Sequence, residues 1–350
     1  MRTPLVAMRR MHGLSLVELM IAMTIGLVTM AAIGWVYQGT IQTFRTHDSL
    51  SRMQEGARFA FEILAKDLRM AGAAGCPYGT SANVVNGNTD WYKNLFGQAL
   101  ASDEQNGTAG SETESSDALR VVRADVLREY LVQAHDPGAF LFTLTGVHDI
   151  EAGEFLVATD CVHASLFQVS AAAIGTLNHA AGGVPGNSTG NLGAAAAVYT
   201  YIPGSRLYRL RGTTYYVDNN AVGQPALFRM RAVGATAVLT PEELVEGVED
   251  LQVTYGVDTT GDGEADFVDP DGDGDPYLTS AQVNSGAVPG ATPQEKWARA
   301  MSIRISLLMR TTEDRVVPNP QTYTYNGANI AAADRRLRKV FTHVINVRNR

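Results

Sequence analysis

Residues 13–37 read GLSLVELMIAMTIGLVTMAAIGWVY, an apolar run interrupted by a single acid, Glu18. About 20 apolar residues, each rising 1.5 Å in a helix, cross the roughly 30 Å hydrocarbon core of a bilayer, so this stretch is long enough to span one. Arg2, Arg9 and Arg10 precede the run, and no acid does. This charge bias predicts that the extreme N-terminus stays in the cytoplasm and that the rest of the chain is exported.

Two interpretations of this segment compete. A cleaved secretory signal has a short apolar core that ends at a small-residue cleavage site, whereas here no such site closes the run and the small residue, Gly13, precedes it. A simple signal anchor does not explain Glu18. A carboxylate in hydrocarbon costs on the order of 2.5–3.5 kcal/mol on insertion scales, so an intramembrane acid indicates a function.

These residues resemble the class III leader of type IV pilins and pseudopilins. In that family a prepilin peptidase cuts after a glycine that follows a short basic leader, the new N-terminal residue is usually N-methylated, and the fifth mature residue is glutamate. The resemblance implies cleavage between Gly13 and Leu14, methylation of Leu14, and a role in assembly for Glu18, with Ser15 as the small residue at mature position two. Leu14 departs from the commonest residue, phenylalanine, which bears on the methylation.

The chemistry of Glu18 suits an assembly role. Cleavage would leave an amine on Leu14 at the end of an apolar helix. A carboxylate on a neighbouring helix can pair with that cation, and low dielectric strengthens the attraction. Since either charge alone is costly in such surroundings, the pair would reward the correct axial stagger between subunits.

Composition bounds the remaining possibilities. The chain has 350 residues and a net charge of −8, which falls to −11 when a leader with three arginines and no acid is removed. An acidic exported chain is a poor candidate for nucleic-acid binding. The sequence contains no P-loop, Rossmann, G-x-S-x-G or H-E-x-x-H motif. Cys161 and His163 are the one conceivable nucleophile pair, and the signal is weak. We therefore expect no enzymatic activity.

The two cysteines, Cys76 and Cys161, are expected to form a disulfide in an oxidising compartment. On the chain-entropy model the bridge would contribute roughly 4–4.7 kcal/mol. Two free buried thiols or one reactive cysteine are the alternatives. A resemblance to the minor pilin family called PilW supports the disulfide, because in that family one cysteine follows an Ala-Gly-rich helix end and another follows an acid in a later strand.

The apolar helix is predicted to continue beyond Tyr37, because apolar residues step by three and four on one face up to Leu68. That face consists of Leu50, Met53, Ala57, Phe61, Leu64 and Leu68. The alternative is a transmembrane helix that breaks near Gly39. We predict an α+β, pilin-like fold made of a cleaved leader (1–13), a transmembrane or filament-core helix (14–37), an amphipathic continuation (38–75) and a β-rich periplasmic head (76–350).

The head is predicted to be an antiparallel sheet covered by the amphipathic helix. Arg211 and Thr213 are assigned to two strands of a hairpin that turns at Gly212. Residues 241–250 are interpreted as an acidic turn or short helix. The predicted strands are 118–124, 139–145, 154–159, 165–170, 197–202, 205–211, 213–217, 226–231, 251–257, 298–310 and 338–347.

Residues 258–275 form an acidic loop whose oxygen-rich side chains suit Ca²⁺. With Asp258 as position one of a twelve-residue loop, the candidate ligands are Asp258, Asp262, Asp266 and Asp269, with Thr260 second. Aspartate at position twelve departs from the usual bidentate glutamate. A second, weaker run contains Asp269, Asp271 and Asp273. The alternative is a solvated acidic turn, since Asp and Gly are ordinary turn residues.

The run LVEGVEDLQVTYGVD (residues 244–258) and the terminal residues also resemble PilW. The resemblance implies a minor pilin that helps to prime the type IV pilus, or fimbrium, and sits at its tip, in support of twitching motility. Its partners would be the prepilin peptidase, other minor pilins and the major pilin, with a tip adhesin as a further candidate. It would reside in the inner membrane and later at the pilus tip or cell surface. The alternatives are a GspJ-like pseudopilin of type II secretion and a pilin-stalked adhesin or ligand-binding head.

Overall fold

A single long helix organises the fold. The computed structural model describes residues 15–87, 91–103, 116–183, 186–232, 240–270, 272 and 274–347. Helix α1 spans Leu16–Leu68 without a break, so the alternative of a break near Gly39 is wrong and the long-helix prediction is confirmed. Its 53 residues make it about 80 Å long.

The head is built mainly from strands, as predicted. Two short helices, α2 (Ser280–Asn284) and α3 (Pro293–Trp297), follow the acidic loop. The strands are β1 Thr80–Asn83, β2 Leu100–Asp103, β3 Ala118–Asp136, β4 Leu141–Leu144, β5 Phe155–Thr159, β6 His163–Gln168, β7 Ala171–Ala173, β8 Thr176–Asn178, β9 Arg206–Asn219, β10 Pro225–Ala232, β11 Thr240–Glu246, β12 Val248–Val257, β13 Ala300–Arg310, β14 Thr322–Tyr325, β15 Ala328–Ala331 and β16 Arg338–Asn346.

The larger sheet has the order β1-β6-β5-β9-β3-β4-β8-β7, with β10 and β11 added beside β9 and β2 beside β3. All its pairs are antiparallel except β1 with β6. The long strand β9 joins its two parts, because its first residues pair with β5 and its later residues pair with β10. A separate antiparallel sheet has the order β12-β13-β16.

The upper part of α1 is buried against both sheets. Met53, Ala57, Leu64 and Leu68 belong to one core cluster with residues of β3, β9, β12 and β13. Phe61, which is partly buried, contacts the His343 ring of β16 with 5.3 Å between ring centroids. The predicted amphipathic face is therefore the face that the head covers.

The predicted hairpin at Gly212 is wrong. Gly212 lies in the middle of β9 and pairs with Val122 on one side and Ala232 on the other. A Cβ atom at position 212 would lie 2.6 Å from Cβ of Tyr92. The glycine therefore permits the close approach of the segment at Tyr92. Close approach of another backbone is a common reason for a glycine within a strand.

Two further local predictions are wrong. Residues 197–202 are irregular, since the backbone N–H of Tyr201 donates to Nδ1 of His135 (3.0 Å) rather than to a neighbouring strand. Residues 241–246, interpreted as an acidic turn or helix, belong to strand β11. Its Glu242 lies opposite Arg229 of β10 and forms an ion pair with it at 2.7 Å, a cross-strand charge pair that supports strand pairing.

Candidate functional site

The lower part of α1 is an exposed apolar surface. Every side chain from Leu16 to Thr40 is exposed, including Leu27 (69%) and Trp35 (81%). Among the described residues, α1 is the one helix long and apolar enough to cross a membrane. An apolar segment that the head leaves uncovered must find its own apolar surroundings, either lipid or other helices.

Glu18 caps its own helix in this structure. The backbone N–H of Ser15 donates to Oε2 of Glu18 (3.0 Å), and the N–H of Glu18 donates to Oγ of Ser15 (3.1 Å). This reciprocal capping box satisfies two of the N–H groups that a helix N-terminus leaves unpaired. Sequence reasoning missed it, although the pattern S-x-x-E before an apolar run is its usual signal. The predicted processing residues Gly13 and Leu14 lie outside the described residues.

The capping box describes the state of Glu18 before assembly. Its carboxylate lies at Ser15, the residue that follows the predicted new N-terminus. An amine of another subunit would meet a carboxylate whose Oε2 accepts a hydrogen bond from the Ser15 N–H and whose Oε1 remains available. The assembly role of Glu18 stays a prediction, and the structure adds that its carboxylate is exposed and locally bonded beforehand.

A buried polar triad joins the upper end of α1 to the head. Oδ1 of Asp67 accepts hydrogen bonds from Nε (3.2 Å) and Nη2 (3.0 Å) of Arg123 on β3, and Oδ2 accepts one from the hydroxyl of Tyr215 on β9 (2.7 Å). Burial, and next the charge of Asp67, raise the pKa of Tyr215, so this hydroxyl stays a donor. Such a triad fixes the rotation of the helix about its axis, because any other rotation would turn Asp67 away from Arg123 and Tyr215.

The pairing of Cys76 with Cys161 is confirmed: the two residues form a disulfide with their Cα atoms 5.3 Å apart. Cys76 lies shortly after α1, and Cys161 lies in the turn between β5 and β6, so the bridge ties the segment after the helix to the larger sheet. The Cys161–His163 nucleophile pair is excluded because Cys161 has no free thiol. The buried His163 ring bonds Thr80 Oγ1 and the Leu192 carbonyl, each at 2.7 Å.

The acidic loop is held by its own backbone. Asp258 accepts hydrogen bonds from the N–H groups of Gly261 and Gly263, the latter at 2.9 Å, and these bonds hold the pKa of Asp258 below its usual range. Asp266 accepts bonds from the hydroxyl (2.7 Å) and the N–H (2.6 Å) of Thr259 and from the N–H of Thr260 (2.9 Å), which lower the pKa of Asp266 in the same way.

Of the other predicted ligands, Thr260 contacts Asp266, whereas Asp262 and Asp269 each bond a different part of the loop. Asp262 accepts from the N–H of Glu264 (2.9 Å), and Asp269 accepts from the N–H groups of Gly272 (2.8 Å) and Gly274 (3.0 Å). Asp271 and Asp273 lie outside the described residues. Within the described chain, no three His, Cys, Asp or Glu side chains form a group that could hold a metal ion. An ionised carboxylate offers about four lone-pair sites, and the hydrogen bond from Glu264 to Asp262 occupies one of them, so calcium binding stays a prediction.

Two parts of the chain, one near each terminus, match models of known protein families. Residues 8–34 match the prokaryotic N-terminal methylation motif. Residues 214–349 match the model of PilW, the type IV pilus-assembly protein W. No curated protein and no solved structure matches the chain.

The two matches bracket the structural features described above. The first contains the capping box of α1 and most of its exposed apolar half, and the second contains the sheet β12-β13-β16 on which the upper half packs. The N-terminal methylation motif, the long apolar helix and the match of residues 214–349 to PilW occur in one chain, and together they support a PilW-like type IV pilin.

Proposed function

We propose that the protein is a minor pilin that primes the type IV pilus and stays at its tip together with other minor pilins. It would wait in the inner membrane with its head in the periplasm, lose residues 1–13 and then enter the filament through the lower half of α1. One observation carries the proposal. The apolar half of α1, with Glu18 in its first turn, is uncovered, and the sheet that supports the other half of α1 lies within the match to PilW. The pilin families also favour a structural role over an enzymatic one.

The exposed carboxylate of Glu18 gives the direct test. A Glu18→Ala chain should be processed and inserted in the membrane but absent from filaments, since it lacks the acid that pairs with the amine of a neighbour. The measurement is the amount of the protein in sheared pili, relative to that in the membrane fraction. Glu55→Ala is the matched control, because Glu55 is an exposed acid of the same helix within its head-bound half. A Glu18→Ala chain that enters pili at the wild-type level would contradict the assembly mechanism.

Two further arms of this experiment test the rest of the proposal. Gly13→Ala should accumulate uncleaved precursor, which separates failure of processing from failure of assembly. Deletion of the protein should reduce the number of pili, and other minor pilins should cross-link to it in the membrane. If deletion instead leaves pili unchanged and abolishes protein secretion, the chain serves as a pseudopilin.

A further inference from the structure

A cleft lies between α1 and the lower edge of the head, at the level where the apolar half of the helix ends. It has a volume of about 650 Å³ and is open to solvent. Its helix side runs from Trp35 to Arg45, and its head side consists of Arg315, Val317, Pro318 and Arg335. It therefore combines an apolar wall at one end with arginines at the other.

The head side of the cleft is held against the helix by specific bonds. The carbonyl of Val316 accepts a hydrogen bond from Oγ1 of Thr46 (3.0 Å) and another from the side-chain amide of Gln42. The N–H of Val317 donates to the carbonyl of Arg335 (3.0 Å), which joins the two head segments. Arg315 has a φ of 62°, in the left-handed region that costs free energy in a residue other than glycine. These bonds fix the position of residues 315–318 relative to α1.

The charge of the cleft is of one sign. Its charged lining residues are Arg45, Arg315 and Arg335, and no acid lines it. Within the described residues none of these arginines has a carboxylate within ion-pair distance of its guanidinium. The N–H of Arg335 donates to Oδ1 of Asp314 (3.0 Å), and backbone hydrogen bonds and then the charge of Arg335 lower the pKa of Asp314, but the side chain of Asp314 does not line the cleft.

The height of the cleft follows from the geometry of α1. From Leu16 to Val36 the helix rises roughly 30 Å, which matches the hydrocarbon core of a bilayer. Trp35 and Tyr37, which are 81% and 66% exposed, then lie where aromatic residues concentrate at membrane interfaces. Arg45 is roughly 13 Å further along the axis, and because Cα–Cβ bonds in a helix tilt toward its N-terminus, its side chain leans back toward the membrane.

We propose that this cleft is a binding site for the headgroup of an anionic phospholipid while the protein resides in the membrane. The phosphate would lie among Arg45, Arg315 and Arg335, whose guanidinium groups can donate hydrogen bonds to it. The acyl chains would lie along α1 past Val36 and Trp35. Such a contact holds the lower edge of the head on the membrane surface. The inference rests on the membrane-anchored state and needs neither a tip position nor a filament.

The test is native mass spectrometry of the full chain in mild detergent, with phosphatidylglycerol or phosphatidylcholine of the same acyl chains added. We expect phosphatidylglycerol to be retained about tenfold better than phosphatidylcholine, and Arg315→Glu/Arg335→Glu to remove that preference. Arg315→Lys/Arg335→Lys keeps the charge and should keep most of the preference. Hydrogen exchange of residues 314–317 should slow when phosphatidylglycerol is bound.

The matched control is Arg128→Glu/Arg206→Glu, which makes the same change of charge on β3 and β9 of the larger sheet, where both arginines pair with acids and neither lines the cleft. Equal retention of the two lipids overturns the proposal, and so does an equal loss in this control, which would indicate unspecific attraction. A Glu18→Ala chain should keep the lipid preference while it fails to enter pili, so that the two hypotheses fail separately.

Discussion

The two halves of α1 have the same backbone and opposite surroundings. From Leu16 to Thr40 every side chain is exposed, whereas Ala60, Leu64 and Leu68 in the upper half have no exposed surface. The sequence difference behind this contrast is one of pattern. The lower half is apolar on all faces, and the upper half is apolar on one face and polar on the others. A helix that is apolar all round requires apolar surroundings on every side, which the head of one chain cannot provide.

The contrast implies that the two halves of α1 have different roles. The upper half is stabilised within the chain, so it carries the head. The lower half gains nothing from the head and remains available to lipid and then to other helices. Because α1 is continuous, a change of position in the lower half moves the head as a unit with it. The predictions below change each half and ask whether the consequences stay within it.

The largest effect on stability is expected at Asp67. Asp67→Asn removes the partner of a buried arginine, Arg123, whose exposed fraction is 8%. Removal of one member of a buried ion pair costs about 3–5 kcal/mol, since the remaining charge is left uncompensated. The free energy of unfolding of the full chain in mild detergent, from urea denaturation followed by near-ultraviolet circular dichroism, should fall by that amount.

Glu62→Gln is the matched control for Asp67→Asn. Glu62 is an exposed acid on the same helix, five residues earlier, and its replacement should change the free energy of unfolding by less than about 0.5 kcal/mol. If both variants lose the same small amount, the triad does not hold the helix to the head, and apolar packing alone does.

A pair of identical substitutions tests the contrast between the halves directly. Leu64→Ala should lower the free energy of unfolding by about 2–5 kcal/mol, because Leu64 is fully buried and its truncation leaves a cavity. Leu27→Ala should leave the stability of the head unchanged, since Leu27 is 69% exposed, and should instead weaken retention in the membrane or in pili. Equal losses of stability from both would show that the lower half also packs on the head.

These two leucines also show how far the sequence could predict the fold. The step of three and four at Met53, Ala57 and Leu64 identified the covered face, because burial of a helix follows its apolar stripe. The same pattern puts Asp67 on the polar part of the helix, and nothing local distinguishes an acid that contacts Arg123 from one that contacts water. That pairing depends on β3 and β9, which are more than 50 residues away in the chain.

The errors in the head have the same origin. Gly212 has the local signature of a turn, and its true role depends on the side chain of Tyr92 from another segment. The segment around Glu242 has the composition of an acidic turn, and its strand β11 depends on pairing with β10, where Arg229 lies opposite Glu242. The disulfide could be predicted because only two cysteines exist, and the capping box of Ser15 and Glu18 was within reach because its signal is local.

The smallest effect is expected in the acidic loop, which lies beyond both halves of the helix. Backbone and hydroxyl hydrogen bonds hold the pKa values of Asp258 and Asp266 below their usual range. A depressed folded-state pKa gives stability that is present above the unfolded-state pKa, about 3.9, and is lost as the pH falls through the folded-state value. The loop should therefore be unchanged between pH 7 and pH 5 and should open below about pH 4.

Amide hydrogen exchange at Gly261 and Gly263 measures this opening, because both N–H groups donate to Asp258. Asp258→Asn should raise their exchange at neutral pH and remove its acid dependence, with the exchange of α1 unaffected. If the α1 amides change together with the loop, the two regions unfold as one unit and the head is more cooperative than its contacts indicate.

Calcium provides the second perturbation of the same carboxylates. A cation that ligates Asp258, Asp262 and Asp266 competes with protons, so about 1 mM Ca²⁺ should move the midpoint of loop opening to lower pH, and the same concentration of Mg²⁺ should move it less. Asp262→Asn separates the two effects, because Asp262 bonds only the Glu264 N–H among the described contacts and is expected to matter to the metal more than to the loop. A midpoint that Ca²⁺ leaves unchanged would contradict the calcium prediction, and the loop would then be an acidic turn that its own backbone stabilises.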